Sequence, residues 1–450
     1  MISLERNEFR GRGPAYEVMA MATCSQLLAA LKNGAHDSAL SALYAPEGGG
    51  PLDAARTRAA GVAEAFAARF GGDAQGAALF SGPGRTEIGG NHTDHQHGRV
   101  LCGSVDLDML ACAAPNGLSV VRFVSEGYPA LEIDLSDLAP KQEEQNTSAA
   151  LVRGVAAKIK ELGYPLSGFD ACAVSTVLSG SGLSSSAAYE TLVGNIFNHF
   201  CCGDKLDPIA IAKIGQYAEN VYFGKPCGLM DQMGSSVGGA VFIDFNDPAD
   251  PVVKRVDYDF SKSGYALCIV DTGSSHGDLT DDYAAVTREM GAVAAHFGKA
   301  VLRDVSVTDF RAAIPALREE CGDRAVLRAM HFYDDDHTVN LEAAALKNGD
   351  FDFFLTLVKQ SGLSSSLHLQ NTWSVHNPRQ QAIPLALAEA ERLLDGGAVR
   401  VHGGGFAGTI QAWVPLGDLE AFKNGMEALL GQGKCHVLRI RPVGGCVVAE

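Results

Sequence analysis

The chain has 450 residues, a formal net charge of −17 at pH 7, 46% hydrophobic and 20% charged residues. That balance fits a soluble folded protein and argues against nucleic acid or an anionic membrane as partner; the length makes two domains the default expectation. No apolar run reaches the roughly 18 residues that span a bilayer, Met1–Arg6 lacks a signal-peptide layout, and the eleven cysteines include no CxxC pair, so a cytoplasmic protein with reduced thiols is expected.

In chain order, residues 1–50 carry one helical pattern, Tyr16 to Leu31, then a weak loop from Ala45 to Pro51. They read as an extension without visible chemistry. A second helix, Pro51 to Phe70, ends at Gly71-Gly72, a helix stop. Ala77–Phe80 predicts a short strand entering Ser81-Gly82-Pro83-Gly84-Arg85, and Ala171–Leu178 predicts another, followed by a helix-prone stretch from Ala187 to Phe197. Asp247–Pro251 is a break. Beyond it, strand candidates fall at Tyr265–Val270, Thr409–Val414 and His436–Ile440, with long helical stretches between. Such a mixture implies an α/β or α+β architecture.

Chemistry concentrates in three glycine-rich segments. In Leu178–Ala188, Gly180 and Gly182 allow close approach of a ligand, and Ser184, Ser185 and Ser186 place hydroxyls beside the free N–H groups of a helix start, a site for phosphate. Taken alone, a Gly/Ser turn ahead of a serine N-cap would look the same. Gly84–Gly98 packs Arg85, Asn91, His92, Thr93, Asp94, His95 and His97 into one loop, with donors and acceptors of the kind that sugar hydroxyls require. The histidine spacing there matches no standard zinc pattern. Gly403-Gly404-Gly405-Phe406-Ala407-Gly408 precedes a strand, so backbone approaches something closely. Glu219 and Asp231 (in Met230-Asp231-Gln232) are acids among glycine and apolar residues, candidates for functional carboxylates, though either alone could be a surface or capping group. Tyr283 follows Asp278, Asp281 and Asp282 and says little by itself.

In order and spacing these segments resemble the three motifs of the GHMP sugar and metabolite kinases. Gly84–Gly98 resembles the signature of the galactokinase branch, roughly G-R-x-N-x-I-G-E-H-T-D-Y-x-x-G; further matches run through Arg328–His331 and Asn340–Asp350, over about residues 55 to 446. The resemblance implies an α+β, two-domain GHMP kinase. A ribosomal-protein-S5-like domain with a left-handed βαβ unit (51–232) and a ferredoxin-like domain (233–450) would follow the extension, with the active site between them. It implies ATP-dependent phosphorylation of the C1 hydroxyl of galactose, with Mg²⁺, in a monomer or weak homo-oligomer whose partners are the sugar and ATP.

Residue by residue, the resemblance implies that Gly180, Ser181, Gly182, Leu183, Ser184, Ser185 and Ser186 wrap the ATP phosphates. Gly404 and Gly405 would support them, and Ser186 and Glu219 would hold Mg²⁺. Asp231 would accept or orient the C1 proton, and Arg85 would stabilise the transferring phosphoryl group. Asn91, His92, Thr93, Asp94, Gly228 and Tyr283 would hold the sugar. Absence of a Walker GxxxxGK[ST] and of HRD and DFG elements disfavours P-loop and protein-kinase mechanisms.

One departure bears on substrate. Asn91 stands where the branch has a glutamate associated with the C6 hydroxyl, and His95-Gln96 is similar to plant galacturonokinases, so a uronate or another C1 sugar is the alternative substrate. A non-turning sugar sensor is the alternative class; retention of Arg85, Ser186, Glu219 and Asp231 argues against it. Two further segments are set aside. Gly362-Leu363-Ser364-Ser365-Ser366 repeats the centre of the phosphate loop but reads as a helix start, and Asp334-Asp335-Asp336-His337 reads as a solvated acidic turn rather than a calcium loop.

Overall fold

A computed structural model describes residues 22–44, 52–177, 182–225, 227–274 and 279–450. Its first half runs α1 (Cys24–Lys32), α2 (Asp37–Tyr44), α3 (Asp53–Phe70), β1 (Ala78–Gly89), β2 (Arg99–Pro115), β3 (Val120–Ser125), β4 (Leu131–Asp134), α4 (Ser148–Glu161), β5 (Phe169–Ser175), α5 (Ser185–Phe197), α6 (Pro208–Tyr217) and α7 (Met230–Val237). Next come β6 (Ala240–Asp244), β7 (Val252–Val256), β8 (Tyr265–Asp271), α8 (Thr280–His296), α9 (Val307–Cys321), α10 (Asp323–Lys347) and α11 (Phe351–Ser364). The chain closes with α12 (Ala382–Leu393), β9 (Ala398–His402), β10 (Thr409–Pro415), α13 (Leu419–Leu430), β11 (Cys435–Leu438) and β12 (Cys446–Ala449). Among the described residues no helix is long and apolar enough to cross a membrane.

Two sheets organise these elements. The larger has the order β12-β1-β2-β5-β3-β4, with β6 and β7 added beyond β2; the smaller has the order β11-β8-β10-β9. β3 and β5 pair in parallel, with β4 and α4 between them in sequence. The larger sheet does not respect a cut at 232/233, since β6, β7 and β12 all return to it.

α4, α5 and α6 cover one face of this sheet, over a core containing Phe80, Phe123, Phe169, Val155, Ile196 and Phe197. The opposite face is covered by α1–α3, whose Leu27, Leu31, Leu40, Leu43 and Phe66 pack on Leu79, Leu110 and Cys112. Each such leucine contributes about 1.5–3 kcal/mol on burial, so residues 22–44 are part of the fold rather than an appendage. The predicted helix from Tyr16 begins in residues outside those described; α1 starts at Cys24 because Thr23 and Gln26 form a capping box. The predicted loop 45–51 also lies outside them.

On the smaller sheet, α12 and α13 bury Ile383, Ala386, Phe422 and Met426 against Val401, Ile410 and Val414. The other face packs Trp413, Leu267 and Phe354 into a cluster that continues to Ile88, Leu101 and Val105 of the larger sheet. That shared core fixes the two sheets against each other.

β1 is longer than the predicted Ala77–Phe80. It runs on through the signature because β2 pairs along it, accommodating Pro83 and the glycines with register shifts at Pro83/Arg85 and Glu87/Gly89. Bulges of this kind re-aim side chains beside sites. Gly82 lets α5 approach: a Cβ there would lie 2.3 Å from the Ala188 carbonyl oxygen.

Two sequence expectations are corrected. Gly362–Ser366 forms the end of α11 and the π-helical turn Ser365–Leu369, not a helix start. Asp334–His337 lies within α10, where Asp335 is buried and Asp336 pairs with Arg99 at 2.6 Å and Arg303 at 3.2 Å. Periodicity marks the helix; the acids hid it because their partners come from distant segments.

Candidate active site

The N-terminus of α5, the start of α7, the second half of β1 and the Gly403–Gly408 turn between β9 and β10 converge. Arg85, buried on β1, holds Asp231 at the start of α7: Nε donates to Oδ1 at 2.8 Å and Nη2 lies 2.6 Å from the same oxygen. Ser184 Oγ donates to Asp231 Oδ2 at 2.8 Å. Burial alone would raise the Asp231 carboxyl. The Arg85 charge and the hydrogen bonds from Arg85 and Ser184 outweigh it, so the group sits below its ordinary value.

Arg85 also grips the phosphate loop. Its Nη1 donates to the Gly182 carbonyl, and its backbone N–H to the Leu183 carbonyl at 3.0 Å. Ser184 precedes α5 with φ 54°, left-handed for a non-glycine residue, and its side chain caps nothing. Strained backbone of this sort collects at working sites; here it aims the hydroxyl at Asp231. Ser185 and Ser186 open α5. Gly182 has φ 73°, and a Cβ there would lie 2.9 Å from His402 Nδ1, so the loop presses on the end of β9. Gly180 and Ser181 lie outside the described residues.

Ser186 Oγ donates to Glu219 Oε1 at 3.2 Å, and Lys225 Nζ approaches the same oxygen at 3.3 Å. Gln232 Nε2 bridges Glu219 Oε2 at 2.8 Å and Glu190 Oε2 at 2.9 Å. Burial, then the nearby Glu219, pushes the Glu190 carboxyl well up. Glu219 Oε1 and the Ser186 hydroxyl are all-oxygen donors beside the phosphate loop, a set suited to a hard divalent cation.

The signature loop meets the glycine turn through consecutive carbonyls. Asn91 Nδ2 donates to Gly403 O at 2.6 Å, His92 Nε2 bonds Gly404 O at 2.8 Å, and Tyr283 OH donates to Gly405 O at 2.7 Å. Asn371 adds a bond to Gly404 O at 3.1 Å. Burial, then the charge of His95, depresses the His92 imidazole to about 4, leaving it neutral. Gly228 lies against Asp94: a Cβ there would stand 2.6 Å from Asp94 Oδ2. Thr93 is turned inward, its Oγ1 within hydrogen-bond distance of Gly90 O at 2.9 Å and Arg99 O at 2.5 Å, with its one hydrogen to give to either, so it closes the loop. The Asn91 side chain is fully buried and its hydrogen bonds are filled by protein, unlike the open C6-facing group expected from the sequence.

A family model described as GHMP kinases N terminal domain matches residues 150–239, and one described as galactokinase galactose-binding signature matches residues 64–115. A galactokinase of Streptomyces coelicolor is 30% identical over 374 residues, which cover 81% of this chain and 91% of that relative. The chain belongs to the galactokinase family. A family member from Bacillus subtilis is 28% identical over 357 residues, covering 76% of this chain and 86% of its own. Among solved structures, the Lactococcus lactis galactokinase complexed with galactose matches with a TM-score of 0.71 at 24% identity, over 85% of this chain and 97% of that one. The mixed α/β architecture is the two-domain GHMP kinase fold.

Several residues of this galactokinase-family site escaped the sequence reading. Glu190 is the one acid within the buried face of α5, four residues after Ser186 and therefore on its side of the helix, a signal that could have marked it. Gln232 adjoins Asp231. Nothing local marks Asn371 or His402, which reach the site only through the fold.

Proposed function

We propose that the protein transfers the γ-phosphoryl group of ATP to the C1 hydroxyl of galactose, giving galactose 1-phosphate and ADP. The observation that carries this reading is the Arg85–Asp231–Ser184 linkage, which sets an ionised carboxylate directly beside a phosphate-type loop. In this reading the C1 oxygen attacks phosphorus, its proton passes to Asp231 or is oriented by it, and the bridging oxygen leaves with ADP. Arg85 and the N-terminus of α5 favour the charge on the transferring group. Most of the catalysis would then be positioning and electrostatic stabilisation.

Ser186 and Glu219 would hold Mg²⁺, which neutralises phosphate oxygens when bound. His92, Asp94, Gly228 and Tyr283 would line the sugar side, and Gly182–Ser186 with Gly404 and Gly405 the nucleotide side. The uronate alternative rests on Asn91 facing C6 and on His95-Gln96; the filled hydrogen bonds of Asn91 weaken the first of these two grounds. The sensor alternative gains nothing from a site that keeps Arg85, Asp231, Ser186 and Glu219 together.

The test is ATP-dependent phosphorylation of galactose and galacturonate side by side, read by coupled ADP release. Turnover on galactose is expected. Turnover on galacturonate alone would replace the substrate, and ligand-induced thermal stabilisation without turnover would replace the activity.

A further inference from the structure

Glu87 lies on β1 two residues beyond Arg85, buried at 4% exposure. Its Oε1 accepts from Arg400 Nη2 at 2.7 Å and from Asn91 Nδ2 at 3.0 Å. Arg400, buried on β9, also donates to the Ile88 carbonyl at 2.7 Å, so it cannot swing away without abandoning β1. The second Nδ2 hydrogen of Asn91 goes to Gly403 O, and its Oδ1 accepts from Asn371 Nδ2 at 2.7 Å and Ser365 Oγ at 3.3 Å. Both donors and both lone pairs of the amide are therefore committed. With its carboxylate partner in place, the amide has one orientation that satisfies all four partners.

The signature pattern of the branch has asparagine at the position of Glu87 and glutamate at the position of Asn91. This chain carries the reverse. Because the two side chains touch, the acid and the amide stand side by side with their places exchanged, and the acid stands on the residue that meets Arg400.

We infer that Glu87 is a positioning residue: anchored by Arg400, it orients Asn91 to clamp Gly403, and so holds the Gly403–Gly405 turn against His92 and Tyr283 on the sugar side. Asn91 is then a strut between the signature loop and the turn, not a sugar ligand. The inference rests on the galactose kinase reading only for its kinetic test.

Four proteins decide it: the parent, Glu87→Asn, Asn91→Glu, and the double exchange. Glu87→Asn leaves Arg400 without its carboxylate; Asn91→Glu sets a second carboxylate about 3 Å from the first, where both cannot stay ionised without cost. Each single variant is expected to raise the galactose KM at least about tenfold, and the ATP KM with it because the loosened turn carries Gly404 and Gly405, and the double to recover most of both losses, the mark of coupled neighbours. Hydrogen exchange of the 403–408 amides should quicken in each single variant and slow again in the double, with β5 amides as the control for global loosening.

Unchanged exchange and galactose KM in the single variants, or additive losses in the double, would overturn the inference. Should the single variants fail to fold, a folded double exchange with parent-like exchange at 403–408 upholds the coupling, and an unfolded one overturns it. A parent without turnover on galactose defeats the kinase reading alone, since hydrogen exchange still decides the coupling.

Discussion

Ser184 donates its hydroxyl to Asp231, 2.8 Å away, and does not cap the helix it precedes. An N-cap serine ordinarily stabilises its helix by about 1 kcal/mol, so this residue forgoes a local contribution to fix a carboxylate 47 residues on. With Arg85 on the other oxygen, Asp231 is kept ionised and oriented. Asp231→Asn is expected to lower kcat by about 10²–10⁴-fold, the range for a positioned acid–base group, while ATP binding by calorimetry is largely retained. Because the carboxyl sits below its ordinary value, the base form persists through neutral pH and its loss begins only under strongly acidic conditions. Turnover within tenfold of the parent, or an acid limb near neutrality assignable to Asp231, would remove it from the chemistry.

Gly228 has no room for a side chain toward Asp94, since a Cβ would stand 2.6 Å from Oδ2. Gly228→Ala should push the Asp94 carboxylate aside. Displacements of about 1 Å cost up to about 10²-fold where positioning matters, so the expected outcome is a galactose KM raised by about 10–100-fold with the ATP KM little changed. Steady-state kinetics in both substrates check it. Equal losses for sugar and nucleotide would mean that the Asp94–Gly228 contact does not belong to the sugar side.

Much of the site was legible because its residues sit in compact motifs with a physical reason for their composition. Arg85, Asp231 and Ser184 are bonded together, and Ser186 is bonded to Glu219, the five being drawn from four segments. The strands Tyr265–Val270 and Thr409–Val414 were legible from apolar runs and differ from β8 and β10 by one residue each. What stayed hidden was long-range. Glu87, Arg400, Asp335 and Glu342 are polar residues in β1, β9 and α10 that read locally as surface positions, yet the packing of α10 against β1, with Arg400 of β9 reaching Glu87 and the Ile88 carbonyl, buries them all. The partners of the buried Asn91 side chain were hidden for the same reason: Gly403, Ser365 and Asn371 lie hundreds of residues away.

Glu342 is fully buried on α10 and neither carboxyl oxygen has a hydrogen-bond partner. Burial, then the charge of Asp335, raises it well above its ordinary 4.5, with Arg400 opposing. The folded protein therefore keeps a proton there that the unfolded chain releases above about 4.5. Stability contributed by this group is full at lower pH and declines as pH rises toward the folded value, by about 1.4 kcal/mol for each pH unit in which the states differ by one proton. Glu342→Gln should flatten that decline. Thermal midpoints from pH 5 to 8 for parent and variant check it; parallel curves would mean Glu342 ionises without penalty.

Asp108 joins the N-terminal helices to the sheet and to the chain's last segment. Its Oδ1 accepts from Arg58 at 2.5 Å, and its Oδ2 from Tyr44 OH at 2.6 Å, from Arg441 at 3.1 Å and from Ser81. Asp108 and Arg441 have no exposed side-chain surface. Burial would raise the carboxyl, but Arg58 and Arg441 hold it below its ordinary value. Its contribution is thus present at neutral pH and lost as pH falls through the lowered value. Removing one partner of a buried charged set leaves the others uncompensated, at about 3–5 kcal/mol. Asp108→Asn should cost about that much in denaturant unfolding at pH 7, while Tyr44→Phe, which deletes one hydrogen bond to a charged group, should cost about 1.5–3 kcal/mol. Equal and small losses would mean that α2 and α3 are held to the sheet by their apolar residues alone.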